Sequence, residues 1–441
     1  MPESPSPGQR LTLANGRTLE VGELVHQYAG KRRIFRATLE DIGPVVAKFY
    51  FGRIRQWPEW RRGVRGAQAL EASGVPAPRL HYAGYERGLS AWLCVLDWVE
   101  ADEPWPPQTE VLPSELHRRL LQTLAEHHQA GLRQHDLNWL NFIPWEGKLF
   151  AIDGDRVRQQ SHPLKQRQAR HHLVRLYASK TRLPEEQVEE GYNQYCALRG
   201  WPCSPEDRRA FLHKVRTARL RQACRVAARA AHGWKHYPRT RHEGIRIIRD
   251  RRHLSADQAA GLAQALHKHG TTEDCQDAGT IIGARRIDLP TGPIPALLRP
   301  WITRQAALRT WRHALVLMRL GMPVPRPLAI SWSGDGHAWL IQRWPEGLQP
   351  LHAVAGEMDA ATRSIVIEQA DIALQKLVRA GLHLPLESLE VLGWDGSRVC
   401  LLGAQGLRFG RPDATSLQRA AEQERAKVSD RLSADWSGRA P

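Results

Sequence analysis

Apolar and polar positions in the first half of the chain run as strands, a helix, strands again, and then mostly helices. Leu24 to Ala37 predicts a hairpin turning at Ala29-Gly30-Lys31-Arg32. Val45-Val46-Ala47-Lys48-Phe49 reads as an apolar strand carrying one lysine, Trp57 to Ala72 as a helix, and Ala91 to Trp98 as a second buried strand. In that strand Trp92 and Trp98 are expected to be packing residues. Leu120 to Ala130 is an amphipathic helix stopped by Gly131, and Leu149-Phe150-Ala151-Ile152 is a strand that ends on Asp153-Gly154-Asp155. His127-His128 and His171-His172 are adjacent pairs; neighbouring helix positions do not share a face, so surface histidines are expected.

The pattern then repeats. Gly74-Val75-Pro76-Ala77-Pro78-Arg79-Leu80 matches Gly321-Met322-Pro323-Val324-Pro325-Arg326-Pro327, and Ala91-Trp92-Leu93 matches Ala338-Trp339-Leu340, both at an offset of 247. Ala47-Lys48-Phe49-Tyr50 pairs with Leu298-Arg299-Pro300-Trp301, and Gln134 to Asp155 lies over His383 to Ala404 at an offset of 249. In this register Asp136 falls on Pro385, Asn141 on Glu390, Asp153 on Leu402, Asp155 on Ala404 and Lys48 on Arg299. The second copy keeps the apolar framework without the polar residues. Two domains are expected, 1–235 and 236–441, as their 441-residue sum is too long for one ordinary core.

A hydrophobic content of 42% against 25% charged residues is an ordinary globular balance, and no apolar run reaches a bilayer-spanning length. Met1-Pro2-Glu3-Ser4-Pro5 lacks a basic region followed by an apolar one, so no secretory leader is expected. Six cysteines without a Cys-x-x-Cys pair argue against a zinc site and fit a reducing cytoplasm. The net charge of +17 is concentrated between Arg156 and His253, where 24 Lys and Arg face 8 Asp and Glu. Arg221, Arg225 and Arg229 fall on one helical face. Such a stripe is a solvated surface or a docking surface for an anionic membrane or phosphorylated glycolipid. No nucleic-acid-binding motif accompanies it, so no nucleic acid partner is expected.

The candidate chemistry lies in Gln134-His135-Asp136-Leu137-Asn138-Trp139-Leu140-Asn141 and in Asp153-Gly154-Asp155. An Asp five residues before an Asn, with a second Asp closing an apolar strand, suits phosphoryl transfer. Asp136 would orient a hydroxyl and accept its proton, while Asn141 and Asp153 would offer Mg²⁺ oxygen ligands. Asn138 would hydrogen-bond within the loop or touch the phosphate, and Asp155 would be a second metal ligand or a partner of Arg156. Lys48 would meet the nucleotide phosphates, with Gly30 and Lys31 covering them from the hairpin. Glu59, or Glu71, would pair with Lys48 from the helix.

These residues resemble the bacterial lipopolysaccharide core kinase family, the Kdo- and heptose-kinase branch of the protein-kinase-like superfamily. Asp-Leu-Asn-x-x-Asn at Asp136 to Asn141, Ile-Asp-x-Asp-Arg at Ile152 to Arg156, and Gly-Val-Pro-Ala-Pro at Gly74 to Pro78 carry the resemblance. It implies an α+β chain of two tandem bilobal protein-kinase-like domains, the second degenerate. It further implies ATP and Mg²⁺ as cofactors and a core sugar as acceptor, at the cytoplasmic face of the inner membrane. The family usually has His two positions before the Asp, as loop support, where this chain has Gln134.

Overall fold

The structure, a computed structural model, describes residues 5–28, 31–103, 112–135, 137–180, 183–270, 282–287, 289, 295, 297–386, 391–412 and 414–437. The chain mixes α and β structure and divides into two compact units, Met1–Leu212 and His213–Pro441. Among the described residues no helix is long and apolar enough to cross a membrane.

The first unit opens with β1 (Arg10–Thr12), β2 (Thr18–Tyr28), β3 (Arg32–Leu39) and β4 (Gly43–Phe51), followed by α1 (Arg53–Ala72), β5 (Leu80–Glu86) and β6 (Ala91–Asp97). They form one sheet in the order β1-β2-β3-β4-β6-β5. Strand alternation divides its core. Phe35, Ala47, Phe49 and Leu93 pack on one face, while Tyr50, Cys94 and Leu96 pack on the other against Val64 and Ala67 of α1. Lys48 shares the α1 face with Tyr50, two positions along β4. Trp92 packs there as expected, stacked on Trp60 with ring centroids 4.3 Å apart.

Next come α2 (Ser114–Gln129), β7 (Leu132–Gln134), the hairpin β8 (Phe142–Trp145) and β9 (Lys148–Ala151), and β10 (Val157–Gln159). The helices α3 (Gln166–Ala178), α4 (Glu185–Leu198) and α5 (Pro205–Ala231) follow. The division between the units falls within α5, ahead of the 235/236 boundary read from sequence. Arg221, Arg225 and Arg229 are exposed along α5, opposite the buried Ala223, Ala227 and Ala230.

The second unit contains β11 (Arg239–His242), β12 (Ile245–Arg249), α6 (Ala256–His269), β13 (Ile282–Arg286), α7 (Arg299–Arg319), β14 (Arg326–Trp332) and β15 (Ala338–Arg343). After β16 (Gln349–Pro350) and α8 (Leu351–Val354) come α9 (Ala360–Arg379), β17 (Leu382–His383), β18 (Leu392–Trp394), β19 (Val399–Leu401), β20 (Arg408–Phe409) and α10 (Thr415–Ser437). Its main sheet has the order β11-β12-β14-β15-β13.

Backbone pairing in the two units repeats closely enough to correct the sequence register. β5 skips residue 81 in its pairing with β6, and β14 skips residue 328 in its pairing with β15. Beyond each skip Ala83 faces Cys94 and Ile330 faces Leu340, so Cys94 corresponds to Leu340, one residue short of the offset of 247. Cys94 pairs with Lys48 and Leu340 with Arg285, which makes Arg285 the counterpart of Lys48. Arg299 is the first residue of α7 and lies in no strand.

Downstream the slip runs the other way. Asn141 O accepts from Ile152 N at 2.9 Å, and Val391 O from Leu402 N at 2.8 Å. Pro76 O accepts from Ala151 N, and Pro323 O from Leu401 N. The β7–β10 and β17–β20 pairs agree, since Leu132 faces Gln159 as Leu382 faces Phe409. The offset here is 250 rather than 249. The counterparts of Asp136, Asn141, Asp153 and Asp155 are therefore Leu386, Val391, Gly403 and Gln405, replacing Pro385, Glu390, Leu402 and Ala404. The corrected register still leaves the second unit without these oxygen-bearing side chains except the Gln405 amide. It keeps the cation, because the Arg285 guanidinium lies against Gly403.

Candidate active site

Two glycines of α1 set the depth of the site. A Cβ on Gly66 would lie 1.7 Å from the Gly154 carbonyl oxygen, and one on Gly63 would lie 2.6 Å from Asp155 Oδ1. The helix therefore presents a side-chain-free groove into which the Asp153-Gly154-Asp155 turn packs. The turn, continued by a short helical turn over Gly154–Arg156, leads into β10, whose pairing with β7 holds it beside the 134–141 loop. His135 N also donates to Arg156 O at 2.9 Å.

Lys48, Tyr50, Cys94, Ile152, Gly154 and Asp155 line one small cavity between the sheet and this turn. Burial pushes the Cys94 thiol up to about 12, with Lys48 opposing and Asp155 adding to the shift. Neither Asn141 nor Asp153 lines the cavity, but their backbones run close, because Ile152 N, one residue before Asp153, donates to Asn141 O at 2.9 Å. Asp153 caps the Gly154–Arg156 turn, its Oδ1 accepting from Asp155 N at 3.3 Å. Asn138 caps the Trp139–Asn141 turn, its Oδ1 accepting from Leu140 N at 3.4 Å. Asp136 and Gly30 lie outside the described residues.

Three expectations change here. Lys31 is exposed, and the hairpin residue that enters the site is Arg32. Its guanidinium forms an ion pair with Asp155, both side chains being nearly buried, and it lies over the Tyr28 and Tyr50 rings at 4.6 Å and 5.5 Å. Burial works against the Arg32 charge, yet Asp155 and Tyr50 hold its pKa above the ordinary arginine value. Asp155 is therefore braced by Arg32, a partner that the sequence did not point to. Glu59 is half-buried and forms no ion pair with Lys48 among the described residues; Gly63, Ala67 and Leu70 are the α1 residues lining the cavity. Glu71 is exposed.

The ion pair is testable by itself. Arg32→Met leaves Asp155 charged and poorly solvated, and should lower stability by about 2–3 kcal/mol in urea unfolding. Adding Asp155→Asn should recover most of that loss.

The histidines correct a further expectation. His127, His128 and His172 are buried, and only His171 is exposed. Most of the α2 surface is covered, so adjacent positions both face protein. Tyr195 OH and His128 Nδ1 are 2.6 Å apart, His128 Nε2 and His172 Nδ1 2.7 Å, and His172 Nε2 bonds the Gln134 carbonyl. A polar chain thus runs from α4 through α2 and α3 to the loop preceding Asp136. Arg175 donates to the next carbonyl, of His135, and Gln134 Nε2 donates to the Asp153 carbonyl at 3.3 Å. Gln134 supports the turn from the place where the resembled family has His. Period-two alternation, which puts Arg32 on the Lys48 face, and the Gly63-x-x-Gly66 spacing are the signals in the sequence that point to these contacts.

Burial lowers His127 to about 4 and His172 to about 3, and His128 well below the usual imidazole range. In the unfolded chain each ring takes up a proton below about pH 6.5. Unfolding therefore binds protons in this range. The stability contribution should be complete above about pH 6.5 and fall toward pH 4 by about 1.4 kcal/mol per unit for each ring. Urea unfolding across that range, with His172→Asn reducing the slope, measures it.

No protein-family model matches this chain, and no curated protein matches it.

Proposed function

We propose that the first unit is an ATP-dependent phosphotransferase acting on a sugar hydroxyl of the lipopolysaccharide inner core, a heptose or Kdo. On this reading both units have the bilobal protein-kinase-like fold, the second as a degenerate copy. The observation that carries the proposal is the backbone bond from Ile152 N to Asn141 O, which brings the strand end before Asp153 alongside Asn141, next to a cavity lined by Lys48, Ile152, Gly154 and Asp155. An amide oxygen and a carboxylate oxygen form a donor set that fits a hard cation. Mg²⁺, when bound, would neutralise charge developing between the β- and γ-phosphates.

The chain's own residues do the rest. Lys48 presents its ammonium to the nucleotide phosphates from the strand facing α1. Asp136 orients the acceptor hydroxyl and takes its proton as the oxygen attacks the γ-phosphorus and the bond to the bridging oxygen breaks, releasing ADP. Asn138 shapes the loop between them. Arg32 and Asp155 brace the turn carrying Asp153. The acceptor class follows from the resemblance and from the basic segment, which suits an anionic, membrane-held glycolipid at the cytoplasmic face.

The test is Mg²⁺-dependent transfer of γ-labelled phosphate from ATP to extracted core glycolipid by wild type and Asp136→Ala. Transfer by wild type alone supports the reading. Nucleotide binding without transfer to this acceptor or to simple sugars would make the first unit a noncatalytic nucleotide-binding module.

A further inference from the structure

The second unit carries an arrangement that its loss of site chemistry does not explain. On β11 and β12 Arg239 faces Ile248 and Arg241 faces Arg246, and Arg246 in turn faces Trp332 of β14. Residues directly opposite across antiparallel strands share a face. Ile248 and Trp332 belong to the core that packs on α7, whereas Ile247 belongs to the core under α6. Arg239, Arg241 and Arg246 therefore all stand on the α7 side of the sheet, at its margin. All three are exposed.

Arg304 of α7 completes the group. Burial lowers the Arg239 pKa, and the neighbouring Arg304 and Arg246 guanidiniums lower it further. Arg239 is held over the buried Trp332 ring at 5.2 Å, and the Arg304 Nε is buried without a hydrogen-bond partner. Among the described residues none of the four arginines forms an ion pair. Glu243, the one carboxylate in the β11–β12 hairpin, accepts from Gln264 of α6 at 2.8 Å and so is drawn to the opposite side of the sheet. Like charges opposite each other in a sheet destabilise it unless a counter-charge is supplied.

We propose that Arg239, Arg241, Arg246 and Arg304 form a binding site for a phosphate ester on the sheet margin of the second unit. Guanidiniums grip phosphate through paired N–H donors, and a convergent set rewards a compact dianion more than isolated carboxylates. The buried Trp332 beneath Arg239 leaves no aromatic face for a base, so recognition is of the phosphate itself. This site stands apart from the phosphotransfer reading, because binding is measured without ATP or Mg²⁺ and either can fail alone.

The test is titration of the full chain with inorganic pyrophosphate, alongside cosedimentation with phosphatidylcholine vesicles with and without phosphatidic acid. Binding in either arm is expected, and the arm that binds identifies a soluble phosphate or a lipid headgroup as the source. Arg239→Gln/Arg246→Gln/Arg304→Gln should weaken binding by about tenfold or more for each arginine removed. Arg408→Gln/Arg411→Gln/Arg419→Gln removes the same charge from exposed positions of the second unit, outside both the sheet margin and the basic 156–253 segment, and should bind as wild type. Thermal unfolding checks that both variants remain folded. Absence of binding in both arms, or equal loss in both triple variants, overturns the site, the latter leaving only diffuse basic charge.

Discussion

Asp153→Ala should reduce phosphate transfer at least about a thousandfold while leaving the protein folded. Removing one electrostatic stabiliser from a transfer site costs about 10² to 10³ in rate, and a metal-holding carboxylate lies at the upper end. The structural cost is small, because the side chain makes one long bond, from Asp155 N at 3.3 Å, that a water can replace. Rate loss without stability loss is thus the expected signature. Raising Mg²⁺ should recover part of the activity of Asn141→Ala, which keeps the carboxylate, and little of that of Asp153→Ala. A variant that transfers phosphate as wild type does would remove Asp153 from the chemistry.

Gly66→Ala should do damage of another kind. Its new Cβ would lie 1.7 Å from the Gly154 carbonyl oxygen and 2.6 Å from the carbonyl carbon, and both are backbone atoms with no rotamer to change. Either α1 retreats from the sheet or the turn moves, displacing Asp153 and Asp155 together. Overpacking against backbone should cost about 3 kcal/mol or more. A turn displaced by about 1 Å should lower transfer roughly a hundredfold even in molecules that fold. Gly88→Ala is the control: a Cβ there meets nothing within 4 Å, and stability should change by less than about 0.5 kcal/mol.

The local parts of this arrangement were legible in the sequence. A lysine in an apolar strand, and an aspartate closing another, reveal themselves because strand periodicity is local. The β2–β3 hairpin and α1 likewise arise where turn residues and helical spacing place them, α1 starting at Arg53, one turn before Trp57. Partner choice was not legible. Asp155 finds Arg32 from 123 residues away, and nothing near either residue excludes Arg156 or prefers Arg32 over Lys31. The buried histidines of α2 were missed because its exposed face is narrow, running through Arg118, Gln122 and Glu126, so that the adjacent His127 and His128 both fall outside it.

The repeat was visible, yet its register was one residue out in two places. At the offset of 249 Trp145 falls on Trp394 and Gly147 on Gly396, residues that flank or form hairpin turns. A turn tolerates a shift of its Gly and Trp, whereas the hydrogen bonds of Asn141 and Val391 do not. In β6 and β15 the matched tryptophans face different helices, Trp92 packing with α1 and Trp339 with α6. Composition marked the duplication; backbone pairing fixed its alignment.

The placement of Arg285 against Gly403 closes the road back for the second copy. A Cβ on Gly403 would come within 3.1 Å of Val391 Cγ1 and 3.4 Å of Arg285 Cζ, so an aspartate fits after a small adjustment. Its carboxylate would then be claimed by Arg285 before any cation reached it. Val391 would still lack a side-chain oxygen, and Leu386 would still stand in the place of Asp136. On the proposed reading, each single reversal therefore passes through a protein whose second unit gains no phosphotransfer chemistry, and the change becomes a one-way inheritance.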